Sequence, residues 1–485
     1  MLLCGACSIV QGPEKKPALE KSPPSHEDGP FFIPEKGREP PRKLPVNRPV
    51  QITFDVDPVL YAAVSKDGRW LIHSSNHDEF SRLRLRSADP NNVLLPKTLT
   101  LDAGVQSSPT ISTDGRWVAF VGTGYDVKGD IYLMELMGQD ASPRRLTGRD
   151  TKDRSPCFSP DGKRLYFHQV RPGQDHRQLV YLDTDQKNPK PRPLEIGGDG
   201  AFPSISPDGK QCVFVSVRED PKGDIFLLHL EEGRVVKLTS GPDQDLLPVW
   251  SWDGRYIYFT RFNLDTDRDG SVTPKDNAVI CRLRVKDPEP LAYPVTSAAY
   301  SAYQPIVTES LLYFLSNRRG VSNLWALPLE GEIPPMENAK AQFDLARELS
   351  ELAPPNHHLA VLGYYKVLER FFEHKPIGAR ASYSMGKVYK RIGMLDGADL
   401  AFHIVSKYFS ETMPEAGLAR IGRIGIRARR QCNQAHTDGQ RQGIIMKAFS
   451  ELEAIVARHP DRPGVQARSR IEQAGLLAQF GEGSG

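Results

Sequence analysis

Four carboxylates fall within twelve residues in Asp265-Thr266-Asp267-Arg268-Asp269-Gly270-Ser271-Val272-Thr273-Pro274-Lys275-Asp276. Acidic oxygens at Asp265, Asp267 and Asp269 fill the first, third and fifth positions of a twelve-residue cation loop. Gly270 admits the sharp turn, the backbone carbonyl of Ser271 serves the seventh position, Thr273 the ninth, and Asp276 the twelfth. Carboxylates this close repel one another unless a cation neutralises them. The pattern predicts one structural Ca2+ that stiffens a protruding loop. A solvated acidic hairpin loop is the alternative.

The loop resembles EF-hand-like calcium loops and, in having Asp rather than Glu at its twelfth position, dockerin-type loops. A second candidate lies at the N-terminus. Leu2-Leu3-Cys4-Gly5-Ala6-Cys7-Ser8 resembles the lipobox of bacterial lipoproteins, which implies lipidation at Cys7 and, from the following Ser8, outer-membrane sorting. Residues 1–7 then read as the end of a truncated lipoprotein signal. A C-x-x-C pair at Cys4 and Cys7 lacks the second ligand pair or strand-to-helix setting that redox or metal chemistry would need. Cys157, Cys212 and Cys281 sit in apolar runs and read as small buried hydrophobes.

Nucleophilic and zinc chemistry leave no trace. No G-x-S-x-G elbow appears in a strand-turn-helix setting, and His357-His358 has neither the i, i+4 spacing nor the adjacent Glu of a metalloprotease. The reading is of a protein that is not an enzyme. An active site assembled at a channel mouth from separate repeats would leave no linear motif, so a carbohydrate-active or peptidase-like enzyme and a glycan-binding module remain the alternatives.

The elements that would carry the loop follow from a recurrent turn signal. Ser65-Lys66-Asp67-Gly68, Ser112-Thr113-Asp114-Gly115, Ser159-Pro160-Asp161-Gly162, Ser206-Pro207-Asp208-Gly209 and Ser251-Trp252-Asp253-Gly254 recur at steps of 47, 47, 47 and 45 residues. Asp caps the turn and Gly takes φ > 0, so each signal is a hairpin between two strands, with a third and fourth strand following. Four strands per period predict a β-propeller whose blades bury their faces against neighbours. A worn sixth unit spans Gln304 to Leu327 and lacks its fourth strand, which residues 48–55 supply from the other end of the region, closing the ring at 48–331 and removing a free edge.

These S-P-D-G repeats resemble the TolB-like six-bladed propellers of bacterial envelopes. The repeat marks a fold and not a function, since such blades also occur in propeller domains of prolyl oligopeptidases and in polysaccharide-processing proteins. Residues 8–47, with nine prolines among Lys, Glu and Ser, read as a disordered Pro-rich tether.

From 332 to 485 the period turns helical. Gly386, Tyr389, Ala398 and Phe402 follow the small and aromatic spacing of a tetratricopeptide repeat, and the region is similar to a diverged array of such units; a plain helical bundle is the other reading. Five arginines (Arg420, Arg423, Arg427, Arg429, Arg430) make one helix basic. The chain has 485 residues, with 63 Lys+Arg against 60 Asp+Glu, so no concentrated basic stripe points to nucleic acid. The expected whole is an all-β six-bladed propeller plus a C-terminal all-α, tetratricopeptide-like domain, a non-catalytic protein-binding scaffold. It would be periplasmic or anchored at the outer membrane through a lipid, with envelope proteins as partners at the propeller face and the helical groove, and peptidoglycan or polysaccharide as a further partner.

Overall fold

The computed structural model describes residues 46–480 apart from 78–79, 89–96, 100–103, 125–127, 138–141, 149–150, 175, 242, 268–271, 288–290 and 353–355. Cys7, the expected signal at 1–7 and most of the Pro-rich segment lie outside these residues, as do Asp269 and Ser271. Asn47, assigned to the tether from sequence, already belongs to the fold: its backbone N–H and its side-chain amide donate to the carbonyls of Glu332 and Gly331.

All five Ser-x-Asp-Gly signals close the same turn with the same bonds. The Ser hydroxyl donates to the Asp carboxylate at 2.5–2.6 Å in every case. That carboxylate accepts the N–H two residues on, and the Ser oxygen accepts the N–H five residues on. The glycines take φ between 68° and 74°. The hydroxyl bond holds the carboxyls of Asp114, Asp161 and Asp208 below their ordinary value. These aspartates brace turns.

The turns join the first two strands of blades in a six-bladed propeller of four-stranded antiparallel sheets. Blade one comprises Val59–Val64, Trp70–His77, Phe80–Ser87 and Lys97–Thr98. Blade two runs from Gln106–Ile111 through Trp117–Gly122 and Asp130–Glu135 to Arg144–Arg145. Blade three holds Lys152–Phe158, Arg164–Val170, Arg177–Asp183 and Arg192–Pro193. Blade four holds Ala201–Ile205, Gln211–Ser216, Asp224–His229 and Arg234–Lys237. Blade five holds Gln244–Trp250, Tyr256–Phe262, Val279–Arg284 and Tyr293–Pro294. Blade six holds Ala302–Val307, Leu311–Ser316 and Asn323–Pro328, and its fourth strand is Val50–Gln51, paired with Ala326 and Trp325.

The core is a set of seams between blades. Phe120, Phe167, Phe214, Phe259 and Phe314 each occupy the fourth position of a second strand, and all are 0% exposed. Each packs toward the preceding blade, as Phe167 does with Ala119, Val121 and Ile131. Such burial is worth about 2 kcal/mol per ring.

Blade one breaks this rule at the seam that closes the ring. Its equivalent residue is His73, fully buried, with Nδ1 3.9 Å from Asp55 and with Arg84 and Arg86 nearby. Neither ring nitrogen finds a hydrogen-bond partner among the described residues. Burial, reinforced by the two arginines and opposed by Asp55, pushes the imidazole down to about 4 from 6.5. The unfolded chain therefore takes up a proton first as pH falls, so stability is full above about pH 6.5 and is lost toward pH 4, by about 2 kcal/mol at pH 5. His73→Phe, which restores the ring that the other blades use, is expected to flatten thermal melts across pH 7 to 5; unchanged pH dependence would refute the assignment.

A second regularity escaped the sequence reading. Ser108, Ser155, Phe202, Leu247 and Gln304 have φ between 49° and 55°, and each immediately precedes a proline (Pro109, Pro156, Pro203, Pro248, Pro305). The ladder register breaks at these points. Proline has no N–H to give the ladder, so a bulge is where a strand accepts it.

Seven helices follow: α1 (Ala339–Glu351), α2 (His357–Phe371), α3 (Lys375–Arg391), α4 (Leu395–Tyr408), α5 (Pro414–Gln434), α6 (Asp438–Arg458) and α7 (Pro463–Phe480). Asn338 and Asn356 cap α1 and α2 through their side chains, Thr437 and Gln440 form a capping box on α6, and Pro376 and Pro414 stand in the first turns of α3 and α5. Successive helices pack on one another, and α2 also packs on the outer strand of blade five.

Candidate functional site

The acidic loop leaves blade five between Tyr256–Phe262 and Val279–Arg284. Asp276, 2% exposed, organises it from within: Oδ1 accepts the N–H groups of Thr266 and Asp267 and the Thr266 hydroxyl, and Oδ2 accepts the N–H of Thr273. Burial alone would raise this carboxyl, but the N–H donors outweigh it and hold it below its ordinary value. Asp265 and Asp267 each bring a carboxylate oxygen within 4.8 Å of one on Asp276. Three carboxylates at that spacing suit a hard cation. Because Oδ1 of Asp276 already accepts three hydrogen bonds, its contribution would come through Oδ2. The Thr273 carbonyl accepts the N–H of Asp276 and its hydroxyl accepts the N–H of Lys275, so Thr273 serves the turn.

A second concave surface lies among α1, α2, α3 and α5, a groove of about 360 Å³. Phe343, Tyr364, Tyr383, Val388 and Leu418 form its apolar lining, and Arg347, Arg380, Lys387 and Arg391 stand exposed at its edge with Glu351. Its trace in the sequence is faint: Lys387 and Arg391 follow Arg380 by seven and eleven residues, which places all three on one helix face, a sparser pattern than the arginine run on α5. That run is neutralised: Arg420 pairs with Glu411, Arg423 with Asp399, Arg427 with Glu451, Arg429 with Glu472 and Arg430 with Asp396.

Propeller and helices meet at a buried ionic cluster. Glu369 of α2 accepts from Arg282 of blade five at 2.7 Å and from Lys366 at 2.9 Å. Arg282 also donates to the Leu329 carbonyl and the Tyr258 hydroxyl, and Lys366 to the Glu330 carbonyl. Two residues after Glu330, Glu332 accepts from Arg318 and from the N–H of Ser297. The connection between the two parts is thus held by blades five and six.

No family model matches the chain. It is 30% identical over 161 residues to an uncharacterized protein of Agrobacterium fabrum, covering 31% of this chain and 53% of that protein. It is 26% identical over 247 residues to the Tol-Pal system protein TolB of Francisella tularensis, covering 48% of this chain and 55% of that protein. The chain spans about half the length of these curated relatives. Among solved structures, TolB from Acinetobacter baumannii is similar at 19% identity and a TM-score of 0.39, over 55% of this chain and 65% of that one. TolB proteins are therefore among its relatives, and its own architecture is a six-bladed propeller followed by helices. Among the described residues no helix is long and apolar enough to cross a membrane.

Proposed function

We propose that this protein is a non-catalytic, protein-binding scaffold of the bacterial cell envelope, periplasmic or held at the outer membrane by a lipid on Cys7. The observation that carries the reading is the similarity to TolB, a protein named for the Tol-Pal system. The propeller face and the helical groove are the two binding surfaces, and the ionic cluster around Glu369 fixes one relative to the other. A tetratricopeptide-like character for the helices is supported by the small residues that admit aromatic rings, Gly386 against Phe402 and Gly397 against Tyr389. Peptidoglycan or polysaccharide is a further ligand class for the propeller.

The test is in-cell crosslinking of the full-length protein in its own host, followed by mass spectrometry of the envelope fraction. Crosslinks from both surfaces to defined envelope proteins are expected. Recovery in the cytosol, or turnover of a glycan or peptide abolished by substituting channel-facing carboxylates, would overturn the scaffold reading.

The acidic loop is proposed to hold one structural Ca2+ through Asp265, Asp267 and Asp276, with Asp269, Ser271 and Thr273 completing the set expected from the sequence. Support comes from the three carboxylates that converge within 4.8 Å. Calcium titrated into chelator-treated protein should release heat at a stoichiometry of one and raise the melting temperature by mass action. Asp265→Ala with Asp267→Ala should abolish both effects, and an absence of heat with the unsubstituted protein would sink the site.

A further inference from the structure

We propose that the groove between α1, α2, α3 and α5 takes a short, extended, acidic segment of a partner protein. The proposal deepens the scaffold reading and rests on it.

Charge is the first argument. Four cations, Arg347, Arg380, Lys387 and Arg391, line the groove against two carboxylates, Glu351 and Glu415. Arg347 is paired with Asp344 at 3.0 Å. Arg380 and Lys387 lie over the rings of Phe343 and Tyr383, at 5.0 and 5.4 Å from the centroids, and among the described residues neither they nor Arg391 pair with a carboxylate. The contrast with α5, where all five arginines have a carboxylate, makes these three the unneutralised cations of this surface. Burial, reinforced by Arg391 and Arg468 and opposed by Glu351, holds the Lys387 ammonium below its ordinary value.

Shape and chemistry select a peptide. Helix backbones spend their N–H and C=O groups internally, so recognition here falls to side chains. Guanidinium groups take carboxylates with two parallel hydrogen bonds. From Arg380 to Arg391 the helix rises roughly 16 Å, the length of about five residues of extended chain. Phe343, Tyr364, Val388 and Leu418 between the cations offer a floor for an apolar side chain. The occupant that fits has acidic residues at both ends of such a stretch and an apolar residue between them. A polyanionic saccharide would satisfy the cations and leave that floor wet.

Fluorescence anisotropy of the full chain with fluorescein-labelled Asp-Glu-Leu-Phe-Asp-Glu tests this. Saturable binding is expected, weakened at least tenfold when Lys replaces every acidic residue, and weakened further as NaCl rises to about 0.5 M. Lys387→Glu combined with Arg391→Glu should lower affinity at least tenfold with an unchanged melting temperature, while Lys447→Glu on exposed α6 should leave it unchanged. Equal affinity for both peptides, indifference to the groove substitutions, or binding of polygalacturonate in preference to the peptide would overturn the proposal. A tenfold gain in peptide affinity on removing residues 1–45 would assign the groove to the chain's own Glu27-Asp28 stretch and overturn an external partner. Envelope crosslinks that persist while the peptide fails would refute the groove and spare the scaffold; peptide binding with no envelope crosslinks would do the reverse.

Discussion

Glu369→Ala is expected to cost 3–5 kcal/mol of stability, about what removing one partner of a buried ion pair does. Its side chain is 8% exposed and is the carboxylate that both Arg282 and Lys366 face, themselves 11% and 5% exposed. Burial would raise the Glu369 carboxyl, but the two cations overcome it and keep it ionised well below neutrality. Without it, two positive charges remain buried beside each other, left with the carbonyls of Leu329 and Glu330, the Tyr258 hydroxyl and the face of the Tyr256 ring. The damage falls at the junction of blade five and α2, so denaturant unfolding followed by Trp fluorescence and by helical circular dichroism should separate into two transitions. Because removing one partner measures the stranded charges and not the worth of the cluster, the triple change Glu369→Leu, Arg282→Met and Lys366→Met should recover much of the loss. A cost below about 1 kcal/mol for Glu369→Ala would mean that water reaches the junction.

How far the sequence disclosed this architecture depended on whether the information was local and repeated. The Ser-x-Asp-Gly turn is written within four residues and five times over, and the structure uses the same hydrogen bonds each time. The bulges before Pro109, Pro156, Pro203, Pro248 and Pro305 were equally periodic, but a proline in a strand-like run reads as a strand end until the left-handed residue before it is seen. His73 was invisible for a different cause: it becomes unusual only when aligned with five phenylalanines, and only when the seam that buries it is known to be the one that closes the ring. The acidic loop was legible as a ligand order, whereas the engagement of Asp276 by the loop's own N–H groups depends on the fold of the intervening residues. In the helical region, charge density along the sequence pointed to α5. Tertiary packing supplied those arginines with acidic partners from α4, α6, α7 and the α4–α5 turn, and left the sparser cations of α3 facing a groove.

Phe402→Ala should destabilise the helical region by 3–5 kcal/mol, the range for a large aromatic deleted from a packed core. The ring is 1% exposed and lies between two glycines from different helices: a Cβ built on Gly386 of α3 or on Gly422 of α5 would overlap it. Both glycines exist, on this view, to let three helices approach through one ring, and neither is needed for backbone conformation since both are helical. Gly386→Ala alone should therefore cost about 1–3 kcal/mol through overpacking against the Phe402 ring, offset in part by the roughly 1 kcal/mol that alanine's better helix propensity returns. Combined with Phe402→Leu, it should cost less than the sum of the single changes, since the smaller side chain vacates the volume the new methyl group requires. Thermal denaturation of the four proteins in this cycle reads the coupling directly. Additive effects would show that Gly386 and Phe402 do not share that volume. The consequence reaches the groove, because α3 presents Arg380, Lys387 and Arg391 to it while Gly386 on the same helix packs on Phe402. A loosened α3 would weaken capture of the acidic peptide even though Phe402 does not line the groove, and the single change Lys387→Glu, expected to leave the melting temperature alone, separates that indirect loss from the loss of a charge.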